Sequence, residues 1–147
     1  MASASNYKLP AIDPNEVERH PGTFYPAEVK GPSEARIKQR LGDAAGLHHF
    51  GVNLTTLPPG ASSALRHWHQ NEDEFIYVLE GELTLHSDAG EQILTTGTAA
   101  GFPAGNPDAH CYVNKSDKPA VVLEVGNRVS DDEVTYPFDD LHLVKRP

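Results

Sequence analysis

A chain of 147 residues predicts one domain with short arms and is long enough to bury a core. Twelve glycines and twelve prolines favour frequent turns over long helices, and a net charge of −9 repels phosphate backbones and anionic lipid heads, so neither nucleic acid nor a membrane is an expected partner. The one cysteine, Cys111, excludes a disulfide within the chain and suits a reducing compartment; with no secretion signal and no long apolar run, the cytoplasm is the expected location.

Residues 1–22 read as a polar, proline-bearing N-terminal arm with one local signal. In Asp13-Pro14-Asn15-Glu16, an N-cap, a proline at the first helical position and an acid three residues after the cap predict one or two helical turns. From Thr23 to Gly126, short apolar stretches are cut by turn residues every eight to twelve positions, the spacing of a sandwich or barrel. The predicted strands are 36–41, 47–57, 65–69, 74–80, 82–86, 92–95, 99–103, 109–114 and 120–126. Residues 127–147, acidic and then mixed, are expected to lie over the body as a C-terminal arm. No repeat or compositional shift marks a second domain.

Alternate residues of a strand face opposite ways, and both faces of the 74–80 strand are apolar. Ile76 and Val78 share one side, while Phe75, Tyr77 and Leu79 share the other. Such a strand needs covering twice, by a barrel interior and by a second layer from the N-terminal arm or a partner subunit. A homodimer is the expected assembly.

The chemistry concentrates in Arg66-His67-Trp68-His69-Gln70-Asn71-Glu72-Asp73-Glu74. On a strand His67 and His69 fall one pleat apart on the same side, so two imidazoles converge while Arg66 and Trp68 face away. Glu74 opens the next strand on the Ile76–Val78 side, where a carboxylate can meet the two histidines, and His110 begins a later strand that can bring a third imidazole. Glu72 and Asp73 read as a solvated bend, His48 and His49 as surface or structural residues, His86 as exposed, and Cys111 as a small buried hydrophobe turned away from the His110 side. Ile76, Phe102 and Tyr112 are candidate pocket-lining residues.

These residues carry a family resemblance. Gly60, His67, His69, Glu74 and Gly81 resemble the first motif of the cupin family, and the six residues between Glu74 and Gly81 select Glu74 over Glu72 and Asp73. Gly97, Pro103, Gly105, His110 and Asn114 resemble its second motif. Two spacers are longer than usual, six residues from Gly60 to His67 and four from Gly105 to His110, which implies longer loops.

The resemblance implies an all-β fold, a double-stranded β-helix or cupin jelly-roll barrel over 23–126 with short N- and C-terminal arms. It also implies one divalent metal held by His67, His69, Glu74 and His110. Imidazole plus carboxylate suits Mn, Fe, Ni or Zn and is too rich in nitrogen for Ca or Mg. Four protein ligands leave positions open for a small-molecule substrate. The expected function is a metal-dependent enzyme of the isomerase or enolisation type acting on a small, oxygen-rich, sugar-like molecule. An iron-dependent dioxygenase and a non-catalytic module binding a small ligand or metal are the alternatives. No general base can be assigned from the sequence.

Overall fold

The computed structural model describes residues 6–139 and 141–144. Asp13 caps a single 3-10 turn, Pro14–Glu16, through a hydrogen bond from the Asn15 amide of 2.9 Å, as its capping pattern predicts. The remainder is mostly strand: β1 (Arg19–Pro21), β2 (Ile37–Arg40), β3 (Phe50–Leu57), β4 (Trp68–His69), β5 (Glu74–Glu80) and β6 (Glu82–Ser87), then β7 (Gly90–Thr95), β8 (Ala99–Phe102), β9 (Cys111–Val113), β10 (Ala120–Asn127), β11 (Glu133–Tyr136) and β12 (Leu141–Val144). A second 3-10 turn, Gly31–Ala35, and a one-turn helix α1 (Leu41–Ala44) complete the described elements. No described helix is long and apolar enough to cross a membrane.

Among the described residues every strand pairing is antiparallel, and together they build the two layers of a jelly-roll barrel. One layer has the order β1-β2-β3-β10-β5-β8. The other joins β7-β6-β9 to β12-β11-β4 through the bridges Ser62–Val113 and His67–His110. Register fixes which residues share the interior: Glu74, Ile76 and Val78 stand opposite Gly126, Glu124 and Val122, and these continue across β3 to Asn53, Thr55 and Lys38. The interior therefore grades from apolar at the Leu57, Val78 and Val122 end, all fully buried, to polar at the Glu74 end. At the β5–β6 reversal Gly81 has φ +80°, and a Cβ there would come within 2.7 Å of the Pro119 carbonyl, so only glycine serves.

Several expectations shift. The strand expected over 65–69 keeps only β4, because the Leu65 carbonyl bonds the His67 ring at 2.7 Å instead of a neighbouring strand. The strand expected to reach Leu41 stops at Arg40, where α1 turns the chain. Residues 127–147, expected as an arm, supply β11, which pairs with β4 and so extends the barrel wall; residues 1–5, 140 and 145–147 of the two expected arms lie outside the described ones. The N-terminal segment bonds Gln39 through the Pro14 and Val17 carbonyls, at 2.6 and 3.1 Å. It leaves Phe75, Tyr77 and Leu79 46, 39 and 44% exposed, so among the described residues it does not supply the second cover for β5.

Candidate metal centre

His67 and His69, one pleat apart, face Glu74 at the start of β5. Nε2 of His69 lies 3.0 Å from Glu74 Oε1, and Nε2 of His67 lies 3.6 Å from Oε2. His110 enters from the other side, its Nε2 2.7 Å from the same Oε2. Reciprocal backbone hydrogen bonds of 3.1 and 2.9 Å between His67 and His110 hold the two segments in register. The long Gly105–His110 spacer does not displace His110, because the Gly105 amide donates to the His69 carbonyl at 2.8 Å and folds the extra residues back over β4. Phe102 stacks on the His110 ring with centroids 3.5 Å apart and fixes its plane.

The groups behind the imidazoles decide what they offer. Nδ1 of His67 bonds the Leu65 carbonyl at 2.7 Å and Nδ1 of His69 bonds the fully buried Asp132 at 2.5 Å. With the ring proton on Nδ1, each Nε2 presents a bare lone pair to a carboxylate. Glu74 Oε2 is buried and has no hydrogen bond among the described residues. Nitrogen and oxygen lone pairs converging in this way require a cation or a proton between them. Ligand atoms of His67, His69 and Glu74 all lie within 4.8 Å of one another, so this nitrogen-and-oxygen donor set fits a divalent transition metal.

Charge agrees with geometry. Burial would raise the Glu74 carboxyl, but the His110, His67 and His69 rings beside it outweigh that and hold the group well below the usual carboxylate range. Burial disfavours the His69 imidazolium, but Glu74 and then Asp132 outweigh it and push its pKa up to about 9. Burial lowers His110, and the Glu74 carboxylate only partly offsets it.

The four candidate ligands thus come together, and Ile76, Phe102 and Tyr112 line the cavity of about 550 Å³ beside them. Glu72 does not sit in a solvated bend. It is buried, with Oε1 3.9 Å from His69 Nδ1 and Oε2 accepting from the Val129 amide, because the 127–132 segment folds over the bend. Asp73 is exposed as expected, its carboxylate capping the Ala104 amide. His48 and His49 are exposed, and Cys111 is buried with its thiol pKa raised by that burial. His86 is half-buried instead of exposed, since β6 lies between β7 and β9, which bring Glu91 and Cys111 opposite it.

Six cavity and backing residues have no motif in the sequence. Tyr136 packs on His67 with centroids 5.5 Å apart and meets Tyr25 hydroxyl to hydroxyl at 3.3 Å; burial raises both phenols, which stay protonated at neutral pH. Asp132 backs His69. Glu124 accepts from Tyr112 and Thr55 and pairs with Lys38 at 3.2 Å, and Arg36 lines the same cavity. The alternation of Glu133-Val134-Thr135-Tyr136 is the one signal that would have marked β11 and Tyr136.

A profile of the cupin domain matches residues 53–126, half of the chain. The chain belongs to the cupin family. A sugar phosphate isomerase of the cupin superfamily from Silicibacter pomeroyi is 43% identical to this cupin, covers 93% of it over 87% of its own length, and superposes with a TM-score of 0.90. A protein from Acidithiobacillus ferrooxidans that carries the same name provisionally is 31% identical over 89% of this chain and 80% of its own, with a TM-score of 0.79. The barrel alone is shared with a polyketide cyclase from Streptomyces resistomycificus, at 22% identity over 80% of this chain and 78% of its own and a TM-score of 0.61. No curated protein matches.

Proposed function

We propose that this cupin is a metal-dependent isomerase that interconverts small sugar phosphates through enolisation. The observation that carries the reading is the convergence of three imidazole nitrogens on the two oxygens of one carboxylate, Glu74, whose Oε2 is buried between His67 and His110. The names of two relatives support the substrate class. His67, His69, Glu74 and His110 would hold one divalent transition metal, which when bound acts as a Lewis acid that polarises a carbonyl.

The remaining steps fall to the chain's own residues. Glu124 stands one pleat along the interior face from Gly126, the register partner of Glu74, and so beside the carbons of a substrate whose oxygens lie at the histidines. It takes a proton from the carbon next to the carbonyl and returns it to the former carbonyl carbon, while one hydroxyl proton leaves and the other oxygen gains one. No oxidant is needed. Lys38 pairs with the carboxylate at 3.2 Å, and Thr55 and Tyr112 fix its direction. The Tyr25 and Tyr136 hydroxyls, held protonated, are hydrogen-bond donors for substrate oxygens.

Protein purified without chelators is expected to contain one divalent transition metal by elemental analysis and to interconvert members of an aldose and ketose phosphate panel. Chelation should abolish turnover and metal restore it. Oxygen uptake by the iron-loaded protein on diols or thiols, without isomerisation, would replace this reading with a dioxygenase.

A further inference from the structure

Arg36, the residue just before β2, has an extended backbone, so it and Lys38 two residues on share the interior face and line the cavity, while Ile37 and Gln39 face the other way. Lys38 is matched by Glu124 at 3.2 Å. Arg36 is only 7% exposed, yet its partners are all neutral. Nε bonds the Gly22 carbonyl at 3.2 Å, one terminal nitrogen bonds the Ser63 carbonyl, and the other lies 3.4 Å from the Thr23 hydroxyl. No carboxylate of the described residues lies within ion-pair distance of it. Three of the five N–H donors of a guanidinium are used, which leaves two. A full positive charge is thus withdrawn from water without a counter-charge, on the wall of a cavity inside a chain of net charge −9.

The placement is as informative as the charge. From the His67 ring, Tyr136 follows at 5.5 Å and Tyr25 after a further 5.5 Å, and Thr23, which meets Arg36, is two residues from Tyr25. Arg36 therefore shares the cavity with the histidines and is linked to them through the Tyr25–Tyr136 pair.

We propose that Arg36, with Lys38 beside it, forms an anion subsite that receives the phosphate group of a substrate whose oxygen-bearing far end lies at His67, His69, Glu74 and His110. A planar guanidinium beside an ammonium suits a phosphate dianion, the first by paired hydrogen bonds and the second as a point charge. The inference rests on reading the cavity as a substrate site, but not on isomerisation.

Inorganic phosphate titrated calorimetrically into chelator-treated wild-type protein tests it, with acetate as the comparison. Phosphate should bind without metal and more tightly than acetate. Arg36→Gln should weaken it at least about 10-fold and Lys38→Gln several-fold, with metal content unchanged in both. Because Arg36 also ties three backbone and hydroxyl groups together, Arg36→Gln can fail to fold; wild-type protein loaded with Mn then decides by the phosphorus-31 relaxation of bound phosphate. Relaxation weaker than that of a directly coordinated phosphate supports the subsite. Phosphate that binds only when metal is present, that relaxes as a metal ligand, or that ignores both substitutions overturns it. Phosphate binding without turnover of any sugar phosphate would instead retain the subsite and remove the isomerase.

Discussion

The two ends of the cavity carry opposite electrical problems. At the histidine end three carboxylates, Glu72, Glu74 and Asp132, crowd around His69, whose single imidazolium proton leaves the carboxylates in excess until a metal takes its place. Across the tyrosine pair, Arg36 and Lys38 face one carboxylate, Glu124, and Arg36 is left with neutral oxygens. One end lacks a cation and the other an anion. A pocket polarised in this way orients a ligand before any chemistry begins, since reversing the ligand would set like charges together at both ends.

The largest effect should come from breaking the histidine end. His67→Ala or His69→Ala is expected to strip the metal, abolish turnover and lower thermal stability. A metal present at a hundred times its dissociation constant stabilises the folded state by about 2.7 kcal/mol, and that contribution disappears. Elemental analysis with thermal unfolding, with and without added metal, checks this; metal content unchanged in both variants would remove the centre. Glu124→Gln comes next, because it keeps the volume and the Tyr112 and Thr55 contacts while deleting the proton acceptor. It should lower kcat about 10²–10⁴-fold with KM and metal content near wild type. A purely structural role for Glu124 would move stability instead.

The first of these targets could be read from the chain alone, and the second could not. His67, His69 and Glu74 sit within eight residues of one another, where strand parity dictates which side each occupies, and His110 survives its long spacer because Gly105 anchors to His69. The paired faces of β5 and most strand positions follow from the same parity. Arg36 and Lys38 flank Ile37, and Glu124 sits between Leu123 and Val125. Yet a charged stripe on a strand ordinarily faces water, and nothing local reveals that this one closes a cavity. Asp132 meets His69, and Tyr136 meets His67, from more than sixty residues away through β11, a pairing that only the folded barrel shows.

Asp132→Asn sharpens the contrast within the histidine end, since His67 is backed by a neutral carbonyl and His69 by a carboxylate. Metal affinity should fall about 10–100-fold, measured by calorimetric titration of Zn or Mn. The pH dependence supplies a second readout. In the metal-free protein the folded His69 pKa, about 9, lies above its ordinary 6.5, so this group's contribution to stability is full below pH 6.5 and is lost as pH rises through about 9. A metal must displace that proton, so affinity should climb with pH until about 9 and level off earlier in the variant. Identical profiles for both proteins would detach Asp132 from His69.

The smallest effect on the site should come from the outer face of β5, where Phe75, Tyr77 and Leu79 are exposed, the first two beside their register partners Val125 and Leu123 of β10. An apolar face across two paired strands matches the self-complementary surface of a two-fold dimer, and we expect wild-type protein to sediment as one. Tyr77→Lys places a charge at the middle of that face and should yield monomers, while metal content and phosphate affinity stay within about two-fold of wild type, as usual for independent sites. The reason is directional: neighbouring residues of one strand look into different environments, so Tyr77 cannot touch what Ile76 faces. Monomeric wild-type protein at all concentrations would leave β5 without its second cover. A monomer that also loses metal would mean that the polarity of the cavity is a property of the assembled pair rather than of one barrel.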